Sequence, residues 1–477
     1  MTARRRLVAG VDSSTQSTKV EVRDLETGAL VARGRSSHPA TTPPRSEQDP
    51  QVWWAAFEDA WRQVGAPVVE AISVAGQQHG MVALDAGLEV IRPAKLWNDT
   101  ESAPDAGWLV GQLDGRAAGW AAAVGSVPVA AFTATKLSWL HRSEPAHWRS
   151  LAHVLLPHDW LTLRLSGNCV TDRGDASGTG YWSPTTGDYR WDILSIVDAT
   201  LDWPAVVPRI AAPDEVVGEW HGARVACGTG DNMAAALGLA LRAGEAVVSL
   251  GTSGVAYTVA DKPTADSTGA VAGFADATGR FLPLVCTLNA TKVTDAIGRL
   301  LAVDHAELDR LVLDGAPGAC GMTLLPYLDG ERTPDLPQAT GVVGGMRSDV
   351  SREQLARAAT EGVVCGLLDA LDALARHAPV SSVVLTGGGA KSAAYRQVFA
   401  ELCDLPLTVA DADEAVAAGA CVQAAVVADG VSFDTITDRW RLGTRDQLTS
   451  LRVDSSDVRN RYTELRNVLH PSTARDI

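Results

Sequence analysis

The chain has 477 residues, 46% of them hydrophobic and 21% charged, with a formal net charge of -16. That length predicts two or three domains, the composition is that of soluble globular material, and the acidic balance argues against nucleic acid or an anionic membrane as a partner. Seven cysteines without a C-x-x-C pair fit a reducing cytoplasm better than a disulfide framework, and no uninterrupted apolar stretch reaches bilayer length.

The three arginines at 4–6 look like the start of a signal peptide, but the apolar run behind them stops at Asp12, too soon for a hydrophobic core segment. Val8, Val11, Val20 and Val22 predict a β-hairpin instead. Its turn is unusual. Tight hairpin turns favour glycine, yet none stands between Gly10 and Gly28, and Asp12, Ser13, Ser14, Thr15, Gln16, Ser17, Thr18 and Lys19 fill the gap. Such a turn reads either as a polar surface loop or as a cradle of hydroxyls, N–H groups and one lysine for phosphate.

Residues 30–34 suit a third strand, and "EQDPQVWWAAFEDAWRQV" a helix with Asp49 as cap and Pro50 at its first position. "EAISVAGQQHG" reads as a buried strand ending in a polar turn. "TATKLSWLHR" and "HDWLTLRL" are amphipathic helix candidates, and residues 171–191 are loop or short β structure. Strands interleaving with helices predict an α/β fold. Near Gly228 the pattern restarts: "GTGDNMAAALGLAL" gives a turn and a helix from about Met233, for which Asp231 is a candidate cap. "GEAVVSLGTSGVAYTVAD" is a second hairpin with a Gly/Ser/Thr turn. A long helix over 351–377, the strand "SSVVLTGGGA", a helix from Lys391 and the buried helix "DEAVAAGACVQAAVVA" follow. Two like hairpins half a chain apart predict two related halves, 6–242 and 243–430, with a partly helical tail over 431–477.

Two such turns with a third, glycine-rich one form the pattern of the actin, Hsp70 and hexokinase group of ATP-binding proteins. The expected fold is therefore α/β, with two actin-like (ribonuclease H-like) domains and a central cleft. In "LTGGGAKSAAYRQ", Gly387, Gly388 and Gly389 would let adenosine approach the backbone, and the following helix N-terminus would favour an anion. Other readings of the glycines fail: a P-loop needs glycine before the lysine, where Ala390 stands, and no G-x-G-x-x-G follows the first strand.

The run "GVDSSTQSTK", "SEQDPQVWW", "AGQQHG", "LWND", "FTATKLSWL", "LLPHDWLTLRLSG", "TDRGDASGTGYW", "GTGDNMAAALG", "SLGTSG", "PYLDGERTP" and "LTGGGAKSAAYRQ" resembles the FGGY family of carbohydrate kinases over nearly the whole chain. "SEQDP" with its two tryptophans and "GQQHG" favour the family's xylulose-phosphorylating members. The resemblance implies ATP, Mg2+ and D-xylulose as ligands and a cytoplasmic homodimer. It assigns Asp231 as the general base for the attacking sugar hydroxyl and Asp12 as the carboxylate beside the transferring phosphate that holds Mg2+. Gln78, His79, Asn232 and Trp97 would meet the sugar. Ser14, Thr15, Lys19, Gly251 and Thr252 would grip the phosphates, and Gly388, Gly389 and Ser392 would line the adenosine pocket. Ser14 stands where the family has glycine, and Gln78 where it commonly has methionine. Two alternatives stay open from sequence: a sibling kinase of another ketose, sugar acid or polyol, and an actin- or Hsp70-like ATPase without a sugar substrate.

Overall fold

In the computed structural model, which describes residues 5–410, 414–449 and 456–471, β1 (Leu7–Ser13) pairs antiparallel with β2 (Ser17–Asp24), bringing Asp12 opposite Lys19. Ser14 takes over the work of the missing glycine. Its N–H and its hydroxyl both donate to the Ser17 carbonyl, each at 3.0 Å, and the Ser17 N–H returns a 3.3 Å bond to Ser14 Oγ. A side chain thus closes the turn that glycine usually closes by backbone freedom.

β3 (Leu30–Ser37) extends the sheet beside β2. α1 (Pro50–Gln63) starts as its signals predict, with Asp49 Oδ1 accepting the Gln51 N–H at 2.9 Å, and it buries Trp53, Phe57 and Ala60 in the core. β4 (Ala71–Gly76) lies parallel to β1. After α2 (Pro157–Ser166) come β5 (Val216–Trp220), β6 (Ala223–Ala226), β7 (Thr229–Gly230) and α3 (Asp231–Gly238). The sheet runs β5-β6-β4-β1-β2-β3, with β7 also beside β4. Residues 171–191 hold a one-turn helix, Arg173–Ala176, besides short β structure.

The pattern then repeats. β8 (Gly244–Leu250) pairs antiparallel with β9 (Gly254–Thr258), which pairs antiparallel with β10 (Phe281–Thr287). α4 (Arg352–Ala375) falls within the predicted 351–377 helix, with Ser351 standing outside it as the cap that accepts the Gln354 N–H. β11 (Val380–Thr386) lies parallel to β8, as β4 lies to β1. α5 (Ala393–Leu402) and β12 (Leu407–Ala410) follow. The last elements are α6 (Ala415–Asp429), β13 (Arg445–Leu448) and α7 (Ser456–Leu469).

Packing divides the chain into two units that interleave along the sequence, where the hairpin repeat predicts contiguous ranges. The first takes the described residues up to Leu241, Asp261–Leu282 and Glu414–Gly443. The second takes Arg242–Ala260, the described part of Pro283–Asp413 and the described residues from Thr444 onward. The returning element is α6. It is apolar on nearly every side, so it needs cover all round, and it finds it between α3 and the β1–β4 strands. Glycines allow this: a Cβ on Gly419 would sit 1.9 Å from the Ala234 carbonyl oxygen, and one on Gly238 2.0 Å from that of Ala415. The tail helix α7 joins the second unit by burying Arg466 against Asp369 of α4. Among the described residues no single helix is long and apolar enough to cross a membrane.

Candidate active site

In the first unit the carboxyl ends of three neighbouring parallel strands lie level. Ser13 of β1 and Gly230 of β7 both pair with Gly76 of β4. The side chains that leave these ends are Asp12, the turn Gln77-Gln78-His79, and Asp231 with Asn232. In open α/β sheets such strand ends are where ligands bind.

Asp12 is 3% exposed. Its Oδ2 lies 3.2 Å from Lys19 Nζ, and its Oδ1 is buried with no partner among the described residues. Burial pushes this carboxyl above the usual range, opposed by Lys19. Lys19 also reaches Glu414 Oε2 at 2.6 Å, so the lysine expected at phosphate is shared between two carboxylates of its own unit. The Ser14 N–H and hydroxyl, expected to serve phosphate too, are both committed to Ser17. Thr15 is likewise engaged: its hydroxyl donates to Gln77 Oε1 at 3.0 Å and accepts from Trp97 Nε1 at 2.9 Å. Trp97 itself is 43% exposed, which rules out core packing as its role.

Gln78 and Asn232 form one unit, with Asn232 Nδ2 donating to Gln78 Oε1 at 2.9 Å, while Gln78 Nε2 is buried with no partner among the described residues. His79 has a φ of 65°. Its Nδ1 lies 2.8 Å from the Gly178 carbonyl, an acceptor, so Nδ1 carries the proton. Phe132 and Phe274 flank the ring at 5.1 and 5.4 Å between centroids. Asp231 is the first residue of α3 rather than its cap, since Gly230 holds the cap position. Its carboxylate meets the helix head through one oxygen, Oδ1. Oδ1 accepts from the Asn232 N–H at 2.8 Å and from Asn232 Nδ2 at 3.1 Å. Burial, then the negative charges of Asp12 and Asp175, push it up to about 7. A carboxylate poised there suits a general base at neutral pH.

Sequence reasoning passed over a buried charged group behind these turns: His158, Asp159, Asp172 and Asp175. The available signal was the pair His158-Asp159 at the head of a helix whose other residues are mostly apolar. A second acidic group, Glu47, Asp99 and Glu101, has carboxylate oxygens within 4.8 Å of one another. The buried Lys95 ammonium sits among them at 3.1, 3.1 and 2.6 Å, so a cation of the protein already fills that position.

The second unit holds a cavity of about 600 Å³ lined by Gly251, Thr252, Gly388, Gly389 and Ser392, a volume suited to a nucleoside. Gly388 faces open space, whereas a Cβ on Gly389 would lie 2.8 Å from both Leu250 Cβ and Thr291 Cγ2. The helix expected from Lys391 starts at Ala393, because Ser392 caps it by accepting the Tyr395 N–H. Ser392 Oγ also donates to Asp309 Oδ1 at 2.7 Å, and the Ala393 N–H donates to Asp309 Oδ2 at 3.0 Å. An internal carboxylate thus occupies the helix N-terminus that was expected to favour a ligand anion. The cavity is also lined by Asp295, His305, Asp309 and Lys391, and its size together with the open face of Gly388 suits a nucleoside.

Residues 7–238 match the N-terminal domain model of the FGGY family of carbohydrate kinases, and residues 246–428 match its C-terminal domain model. The chain is 46% identical to the xylulose kinase of Streptomyces coelicolor, over 98% of each chain. It is also 46% identical to that of Streptomyces rubiginosus, over 95% of this chain and 94% of the relative. The solved xylulose kinase of Bifidobacterium adolescentis superposes with a TM-score of 0.87 at 40% identity, covering 97% of this chain and 99% of that one. The repeated strand order, the carboxylates at the strand ends and these full-length matches agree, and the chain belongs to the FGGY family of carbohydrate kinases.

Proposed function

We propose that this kinase transfers the γ-phosphoryl group of ATP to D-xylulose, giving D-xylulose 5-phosphate in cytoplasmic pentose catabolism. One observation carries the chemistry: Asp231, a carboxyl pushed up to about 7 at the head of α3, beside the Gln78–Asn232 pair, while Asp12 lies at the end of β1, on the other side of β4 from β7. Asp231 accepts the proton of the attacking hydroxyl, which raises the nucleophilicity of that oxygen as it bonds to phosphorus and the ADP oxygen departs. Asn232 orients the base through two hydrogen bonds, and Gln78 Nε2, unpartnered among the described residues, offers a donor to a sugar oxygen. Trp97 presents a partly exposed ring to the carbon face of the sugar. In the second unit, Gly251 and Thr252 serve the phosphates and the Gly388–Gly389 turn serves adenosine.

The residues present fit Mg2+. Asp12 Oδ1 is a hard anionic oxygen, buried and unpartnered among the described residues, and magnesium binds through one or two carboxylates, phosphate oxygens and retained water. When bound it neutralises charge on the transferring phosphate. Lys19 places a second positive charge beside the same carboxylate.

The near-full-length identity to two xylulose kinases supports the choice of sugar. ADP release across a panel of ketoses, polyols and sugar acids tests it, with the highest kcat/KM expected for D-xylulose. Faster turnover of D-ribulose, gluconate or glycerol would reassign the substrate.

A further inference from the structure

His158 is fully buried at the head of α2 and lies directly beneath both site turns. A Cβ on Gly76, which leads into Gln77-Gln78-His79, would stand 2.9 Å from His158 Cβ. One on Gly228, which leads into Thr229-Gly230-Asp231, would stand 2.7 Å from His158 Cδ2. The imidazole is wedged between the two strand ends that carry the sugar-facing turn and the base.

Both ring nitrogens face carboxylates. Nδ1 shares a 2.8 Å hydrogen bond with Asp175 Oδ2, and Nε2 lies 3.1 Å from Asp159 Oδ1 and 3.6 Å from Asp172 Oδ1, close approaches without hydrogen-bond geometry. A ring with acids on both sides is held as imidazolium. In accord with this, Asp159, Asp175 and Asp172 raise His158 to about 9 against the opposing effect of burial. From the ring the contacts run on to the base. Asp172 Oδ2 accepts the Thr229 hydroxyl at 2.7 Å and the Gly174 N–H at 2.8 Å, and its Oδ1 accepts the Asp175 N–H at 2.9 Å. Thr229 stands two residues before Asp231.

The charged groups around this line come from several elements. Asp159 lies on α2 itself, Asp172 and Asp175 on the segment after it, Asp12 on β1 with Lys19 from β2, and Glu414 at the head of α6 is tied to Lys19. Arg173 is turned toward Asp276 and the Arg280 carbonyl. Among the described residues, His158 is therefore the cation paired with Asp175, the acid whose charge acts on Asp231 together with that of Asp12.

We propose that His158 is a positioning residue for the base: its imidazolium holds Asp172 and Asp175 as the brace beneath the Thr229–Gly230 strand and offsets the negative field that Asp175 casts on Asp231. The proposal rests on Asp231 being the base. His158 touches no reactant and acts through these carboxylates.

Two substitutions read the brace in opposite directions, both in the full-length enzyme with saturating D-xylulose, ATP and magnesium. His158→Gln keeps a donor toward one carboxylate but removes the charge, so the acid limb of kcat moves up by about one pH unit while the KM for ATP is unchanged. Asp175→Asn keeps the shape and an acceptor for His158 while deleting the negative charge, so the limb moves down by about the same amount. A purely structural role lowers kcat or yield in both variants and leaves the limb in place, and that result overturns the proposal. Where His158→Gln does not fold, Asp175→Asn decides alone: a downward limb supports the brace, an unmoved or raised limb refutes it. Failure of the underlying reading is distinct, because then Asp231→Asn itself retains turnover.

Discussion

Replacing Asp231 by asparagine separates catalysis from stability, because the same carboxylate serves one and weakens the other. The amide still offers an oxygen to the Asn232 N–H, which donates at 2.8 Å, so the head of α3 is kept. It cannot take a proton from the sugar, and loss of a general base costs about 10²- to 10⁴-fold in turnover. The stability effect has the opposite sign. A carboxyl raised from 3.8 to about 7 binds its proton more tightly in the folded state than in the unfolded chain. Wild type therefore loses stability as pH climbs from about 4 through about 7, and Asp231→Asn, with no charge to bury, does not. At about 1.4 kcal/mol per pH unit the full rise is worth about 4 kcal/mol. Asp231 keeps part of its surface open, and solvent screening reduces this to about 2 kcal/mol. Urea unfolding at pH 5.5 and pH 8, with steady-state ADP release on the same preparations, checks both effects. The variant should be nearly inactive and more stable than wild type, by a margin that widens at pH 8. Turnover within a few-fold of wild type would refute the base. A stability gap that does not change with pH would refute the buried, raised carboxylate.

Asp12→Asn leaves Lys19 its second partner, Glu414, so the fold should hold. The Mg2+ needed for half-maximal velocity should rise about 10-fold or more, whereas in Asp231→Asn it stays near wild type; a magnesium titration of both variants tells the two carboxylates apart. Gln78→Leu leaves Asn232 Nδ2 only its bond to Asp231 Oδ1 and removes the inward donor. The KM for sugar should rise about 10-fold, consistent with loss of one buried hydrogen bond, with the KM for ATP unmoved. In the second unit, Gly389→Ala drives a methyl against Leu250 and Thr291 and should cost about 1–3 kcal/mol of stability. Gly388→Ala, whose Cβ meets open space, should leave unfolding unchanged while raising the KM for ATP, a contrast that thermal melts and ATP titrations can read together.

Whatever depends on near neighbours along the chain is legible in the residues themselves. Alternating valines make the β1–β2 hairpin, Asp49 and Pro50 mark the start of α1, Ser351 marks the start of α4, and the second Gly/Ser/Thr turn discloses the repeat. Each of these rests on hydrogen bonds or periodicities spanning a few residues. Asp12 and Asp231 are legible as candidates because they sit in recognisable motifs, but not their state: both are pushed upward by burial, which no local pattern reports. Distant pairing is likewise hidden. Lys19, expected at phosphate, meets Glu414 395 residues away as well as Asp12. Ser14, expected at phosphate, bonds Ser17 across its own turn, and Asp309 takes the helix end that a ligand anion was expected to fill. His158 shows in its own segment only as a polar pair with Asp159; its other partners, Asp172 and Asp175, come from the segment after α2. Where α6 packs is also a tertiary outcome. Its all-round apolar surface says that it is buried, but only the close contacts at Gly238 and Gly419 select the first unit. Local chemistry determined the elements and named the candidate carboxylates; long-range packing assigned their partners, because charge and burial depend on what the fold brings near.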